Sequence, residues 1–218
     1  MYDEYGNLII PKNFGRIHFG HKEIVQILIS VVVLTVAFTI VLLGGVLGDI
    51  GSFTTLNWLF ALGVSAVVSV CGFLLHELAH KFVAQRYGAW AEYRMYPTGL
   101  LMALVFSFLG FIFAAPGAVY IQGRITKKQN GLISVAGPAT NVVFGSVFIL
   151  LWLAFPDMDP WSYAFRLIGL LSLFLAVFNL LPFGPLDGKK VLDWNPVAWI
   201  VTIGLAGSIL LVFWGGII

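Results

Sequence analysis

Charge is what this sequence has least of. Asp, Glu, Lys and Arg supply 10% of its 218 residues, against about a quarter in a soluble domain. A water-soluble globule is therefore excluded. The formal net charge of +2 is too small for a polyanion-binding surface, which excludes nucleic acid as a partner. Cysteine is nearly missing: Cys71 stands alone, so no intrachain disulfide can form, and its apolar neighbours predict an inert, buried thiol. Long linkers, repeats and low-complexity tracts are missing too, so residues 1–218 read as one domain. The polar first 22 residues and the long apolar run after them predict no cleavable leader.

What remains is apolar. Hydrophobic residues make up 60% of the chain and mean hydropathy is +0.96. Spans are predicted over 24–47, 57–87, 132–155, 161–181 and 197–218, each long enough to cross a bilayer at about 1.5 Å per helical residue. "AWAEYRMYP" (89–97) and "AVYIQGRIT" (118–126) suit strands. The fold class expected is an all-α polytopic membrane protein of about five to six transmembrane helices. It should carry a small β-hairpin or sheet and a re-entrant segment. Residues 1–22 form an N-terminal cytoplasmic segment, about 57–190 the catalytic core, and 197–218 an accessory transmembrane helix.

Lys and Arg set the expected orientation. Lys12, Arg16 and Lys22 precede the first span and place the N-terminus in the cytoplasm of a multi-pass cell-membrane protein. The turn with Asp49 and Gly51 has no Lys or Arg and belongs outside. The second span returns inward to Lys81, Arg86 and Arg94, the third leads out to Asp157 and Asp159, and the fourth returns to Lys189 and Lys190. This alternation requires 98–117 to cross an even number of times, because one crossing would strand Arg124, Lys127 and Lys128 outside. A re-entrant or in-plane hairpin, broken near Gly110 and Pro116, satisfies it; an ordinary single span is the alternative.

Against this background "FLLHELAHKF" (73–82) is anomalous. Desolvating three polar groups costs several kcal/mol unless something satisfies them. His76, Glu77 and His80 form H-E-x-x-H, which on a helix puts both imidazoles on one face, able to grip one metal. Glu77 sits where it can take a proton from water at that metal. Two core histidines satisfied by hydrogen bonds would give Glu77 no reason to be there. A catalytic zinc takes three protein ligands, and Asp187 is the carboxylate that stands out. Pro182, Gly184, Pro185 and Gly188 should unwind the chain around it, at the same inward depth as His76 and His80.

HELAH (76–80), together with "NLLPFGPLDG" (179–188) and "GPATN" (137–141), resembles the site-2 protease family of intramembrane zinc metalloproteases, peptidase family M50. The second motif departs from the family pattern in its proline spacing, with Phe183 and Gly184 between Pro182 and Pro185. The resemblance implies His76, His80 and Asp187 as ligands of one zinc per chain, Glu77 as the base that activates water, and Asn179 lining the cavity. There Asn179 would polarise the scissile carbonyl or hold the substrate backbone, although interhelical hydrogen bonding would also account for it. Asn141 reads equally as helix-to-helix glue or as support for a ligand.

The function expected is an intramembrane zinc metalloendopeptidase that cleaves transmembrane segments of other membrane proteins. Its partners would be a transmembrane-helix substrate and the bilayer; the oligomeric state is left open. A membrane metal-ion transporter would explain the ligands but leaves Glu77 idle, and a non-catalytic membrane scaffold leaves the whole motif idle. His18 and His21 read as a wet interfacial surface. The strands around Tyr93 and Tyr120 are expected near the site, with an edge at 91–96 free to pair with an unwound substrate segment.

Overall fold

The structure, a computed structural model, describes residues 17–48, 52–112 and 116–214. The segment 1–16, the turn residues Asp49 and Gly51, and the end of the last predicted span fall outside it. Helix α1 (His21–Leu42) is followed by α2 (Thr55–Val68), which runs through a π-helical segment, Ser69–Leu74, into α3 (Leu75–Arg86). Strand β1 (Trp90–Met95), helix α4 (Pro97–Phe108) and strand β2 (Gly117–Gln122) come next. Helices α5 (Lys127–Ala154), α6 (Trp161–Asn179), α7 (Asp187–Trp194) and α8 (Pro196–Trp214) complete the chain.

Among the described residues, five helical stretches are long and apolar enough to cross a membrane: α1, the continuous Thr55–Arg86, α5, α6 and α8. Their outer faces carry large apolar side chains, with Leu211 79% and Val197 68% exposed, a surface that only lipid can cover at acceptable cost. This is a membrane protein. Between helices the driving force is close packing rather than the hydrophobic effect. Gly145 of α5 and Gly169 of α6 supply it where they meet, since a Cβ on Gly169 would lie 3.1 Å from the Gly145 carbonyl oxygen. Local chemistry fixes several helix starts. Thr54 and Asn57 cap α2 reciprocally, Thr126 and Gln129 do the same for α5, and Pro97 opens α4.

The stretch between the strands answers the crossing question. β1 and β2 are antiparallel with Met95 opposite Gly117, and the Tyr96 amide donates to the Pro116 carbonyl at 2.9 Å. Whatever path 97–115 takes, the chain returns to the depth from which it left. The 12 residues of α4 reach only about 18 Å at 1.5 Å per residue, short of a ~30 Å hydrocarbon core. The segment turns back on itself, as a re-entrant or in-plane hairpin does, and a single crossing does not fit it.

Candidate metal centre

The π-helical segment widens the helix one turn ahead of His76, a feature that recurs where side chains must be re-aimed for function. From α3, one turn apart, His76 and His80 point the same way. At the far end of α6 the chain unwinds through 180–186 and α7 begins on Asp187. A Cβ on Gly188 would overlap the Leu180 carbonyl, so glycine lets that turn close tightly enough to aim its neighbour.

The result is a convergence of three donor atoms. His80 Nε2 lies 3.0 Å from His76 Nε2 and 2.9 Å from Asp187 Oδ2, and His76 Nε2 lies 3.4 Å from the same oxygen. All three residues are buried. For zinc with ligand bonds of about 2.0–2.1 Å, a tetrahedral edge is roughly 3.3 Å, so the triangle is already near the size such an ion demands. His80 Nδ1–H donates to the Ile133 carbonyl at 2.7 Å, which leaves Nε2 as the lone-pair nitrogen. The Asp187 carboxylate turns Oδ2 toward both imidazole nitrogens. Its second oxygen, Oδ1, accepts from Lys190 at 3.1 Å.

Comparison with known proteins agrees with this donor set. The chain is 40% identical over 203 residues to a protein of Methanocaldococcus jannaschii that bears the provisional name zinc metalloprotease MJ0611, covering 90% of this chain and 97% of that one. The chain belongs to this zinc metalloprotease family. A zinc metalloprotease provisionally named Rip2, from Mycolicibacterium smegmatis, is 34% identical over 143 residues, 58% of this chain and 54% of its own. Zinc metalloprotease MJ0392 of M. jannaschii is 31% identical over 120 residues, 55% of this chain and 30% of its own. No family model matches, and no solved structure matches significantly.

Helix α5 forms the wall of the metalloprotease centre, and the reason is glycine. A Cβ on Gly137 would come within 2.6 Å of His76 Nε2 and still closer to His80, so any side chain at that position would occupy the ligands' space. Asn141, one turn along, is fully buried with neither amide atom partnered among the described residues. Asn179 is half-buried and its Nδ2 donates to the Leu175 carbonyl, at 3.0 Å, within its own helix. Among the described residues, no hydrogen bond joins Asn179 to the three donors. His18 and His21 are exposed and outside the cluster.

Two expectations need correction. Lys81 is no orientation marker. It is 1% exposed, and its Nζ lies 2.7 Å from each oxygen of Glu23, itself fully buried on α1. Nor is β1 the free edge. The Tyr93 amide donates to Glu23 and the Met95 amide to Gln26, while the Ala91 carbonyl accepts from Lys81 and Gln85. α1 and α3 thus consume the outer edge of β1. The other edge of the sheet belongs to β2, where the Val119 backbone lies beside the Glu77 carboxylate. Sequence reasoning missed Glu23, Gly137 and Lys190. The sole sequence sign was an acidic residue, Glu23, leading an apolar run.

Proposed function

We propose that this chain is an intramembrane zinc endopeptidase of the site-2 protease type, which cuts transmembrane segments of other membrane proteins near their cytoplasmic ends. The observation that carries the reading is the buried His76–His80–Asp187 triangle with Glu77 beside it, at one end of a bundle whose outer surface is apolar. His76, His80 and Asp187 would hold one zinc, and zinc when bound supplies a Lewis acid that polarises a carbonyl and makes water nucleophilic near neutral pH. Glu77 takes the proton of the attacking water and hands it to the leaving amine, so bond making and breaking share one base. The Val119 backbone lies beside that carboxylate.

A helix must unwind before its peptide bonds are accessible. In an antiparallel pair alternate residues turn their amides outward. Because Tyr93 donates away from the sheet, its partner Val119 does too, as do Gly117 and Ile121. The unwound substrate is therefore expected to lie along β2 as a third strand, its side chains alternating into and away from the centre. Asn179 would turn its amide from Leu175 to the scissile carbonyl, where such a donor is worth several kcal/mol. Exposed Arg86, Arg124, Lys127, Lys128, Lys189 and Lys190 cluster around the ends that carry the site, which supports an inward-facing site in the cell membrane with a cytoplasmic N-terminus.

The deciding experiment is cleavage of a membrane-anchored reporter by purified protein in vesicles, wild type beside Glu77→Gln, with zinc content measured on both. The expected result is about one zinc per chain in each, with cleavage falling about 10²–10⁴-fold in the variant. Zinc-loaded, folded wild type that leaves every membrane reporter intact while hydrolysing a soluble peptide would falsify the intramembrane reading.

A further inference from the structure

Glu23 and Lys81 form a buried ion pair that the proposed reaction does not use. Both oxygens of Glu23 are engaged: Lys81 Nζ reaches each at 2.7 Å, the Tyr93 amide donates to Oε1 at 2.9 Å, and the Gly20 amide donates to Oε2 at 3.2 Å. Lys81 gives a further hydrogen to the Ala91 carbonyl at 3.1 Å and lies 4.4 Å from the centre of the Phe19 ring. A buried pair is weak evidence for stability, because apolar side chains of equal volume often serve as well. Its geometry, however, closes a circuit around the base. Glu23 holds the β1 backbone at Tyr93, Tyr93 is opposite Val119 on β2, and the Val119 backbone lies beside Glu77. Glu77 lies one helical turn from Lys81, which returns to Glu23.

We propose that Glu23 is a positioning residue: its bond to the Tyr93 amide sets the height of the two-stranded sheet, and with it the place of the β2 edge beside Glu77. Lys81 is the counter-charge of Glu23 in a dry site. The strands are otherwise anchored to the bundle through Met95, Ala91 and the Tyr93 hydroxyl, which hydrogen-bonds Ser30 and Pro116 at 2.9 Å each. Of these anchors, the bond from Glu23 to Tyr93 is the one directly across the ladder from Val119. The same sheet presents the edge on which substrate would lie, so both the base and the substrate strand depend on it. The inference rests on the endopeptidase reading for its consequence, but not for its geometry.

Two double variants separate positioning from plain structural support. Glu23→Gln with Lys81→Met removes both charges and keeps an amide oxygen for Tyr93 N–H. Glu23→Leu with Lys81→Met removes the charges and the acceptor. Amide hydrogen exchange, read without substrate, should show the ladder amides of β2, those of Ala118, Tyr120 and Gln122, protected in the wild type and the Gln/Met variant, and exchanging at least tenfold faster in the Leu/Met variant. With zinc-loaded protein and a quenched fluorescent peptide built on an apolar helix of about 20 residues, kcat should fall at least tenfold in Leu/Met relative to Gln/Met. Zinc content should be equal in both. Equal exchange and equal kcat in the two variants would overturn the proposal. Should either variant fail to fold, the wild type still decides. A Tyr93 amide that exchanges as fast as an unstructured one refutes the anchor, and slow exchange there supports it. Absence of peptide cleavage by wild type, with the exchange pattern intact, would count against the endopeptidase reading and leave the positioning geometry standing.

Discussion

α3 carries two buried polar clusters, and they are built on opposite principles. Around Lys81 everything is saturated: one carboxylate, one ammonium, and backbone donors and acceptors that occupy every remaining direction. One residue earlier, around His80, nothing is saturated in that sense. Two imidazole nitrogens and a carboxylate oxygen face one another within 3.4 Å, and a nitrogen facing inward there needs a proton or a metal between it and its neighbours. The first cluster is complete without a guest. The second is acceptor-rich, and a divalent cation is what completes it. Burial alone does not distinguish a structural ion pair from a metal centre; the balance of donors against acceptors does.

The largest expected effect breaks the second cluster and spares the first. Gly137→Ala introduces a methyl group into the space of both imidazoles, and α5 is too long and too well packed to retreat. Zinc affinity measured by competition with a chelator should fall at least tenfold, of the order seen when ligand support is removed. Amide protection at 90–95 should be unchanged. Unaltered affinity would mean that α5 does not wall the metal. Next in size is the converse. Glu23→Gln alone leaves a buried ammonium without its counter-charge, a defect that costs about 3–5 kcal/mol. Its thermal denaturation midpoint should drop clearly, and adding Lys81→Met should restore most of it. The fraction still folded should keep its zinc. Loss of zinc without loss of stability would show that the two clusters are one.

The same contrast explains what could be read from residues alone. His76, Glu77 and His80 are legible because helix periodicity puts them on one face over five residues, and no tertiary knowledge is needed. Asp187 is legible at longer range because the positive-inside count and the metal's need for a third ligand demand the same depth. The reversal of the chain over 98–117 follows from that count, and the pairing of Met95 with Gly117 agrees with it. Glu23 and Lys81 are hidden for a physical reason. They are 58 residues apart, and a lysine at the end of an apolar run is most simply a solvated basic residue, as exposed Arg86 is. Gly137 is hidden because its role is to have no side chain. The occupied edge of β1 depends on which neighbours α1 and α3 bring to it, and alternation in a six-residue strand carries no such information.

The smallest expected effect sharpens the comparison at its boundary. Lys190 donates to Asp187 Oδ1 at 3.1 Å, as Lys81 does to Glu23, but its side chain is 44% exposed rather than 1%. Water and salt therefore screen the Lys190 contact, while the Lys81 contact is dry. An exposed pair of this kind is worth about 0.2–1 kcal/mol, so Lys190→Met should weaken zinc binding by no more than about fivefold. The difference from wild type should shrink as ionic strength rises. Lys190→Arg, which keeps the charge, should bind zinc as wild type does. A fall of more than tenfold that salt does not diminish would place Lys190 with the buried partners, and the division between a sealed ion pair and an open metal centre would then run through α7 rather than along α3.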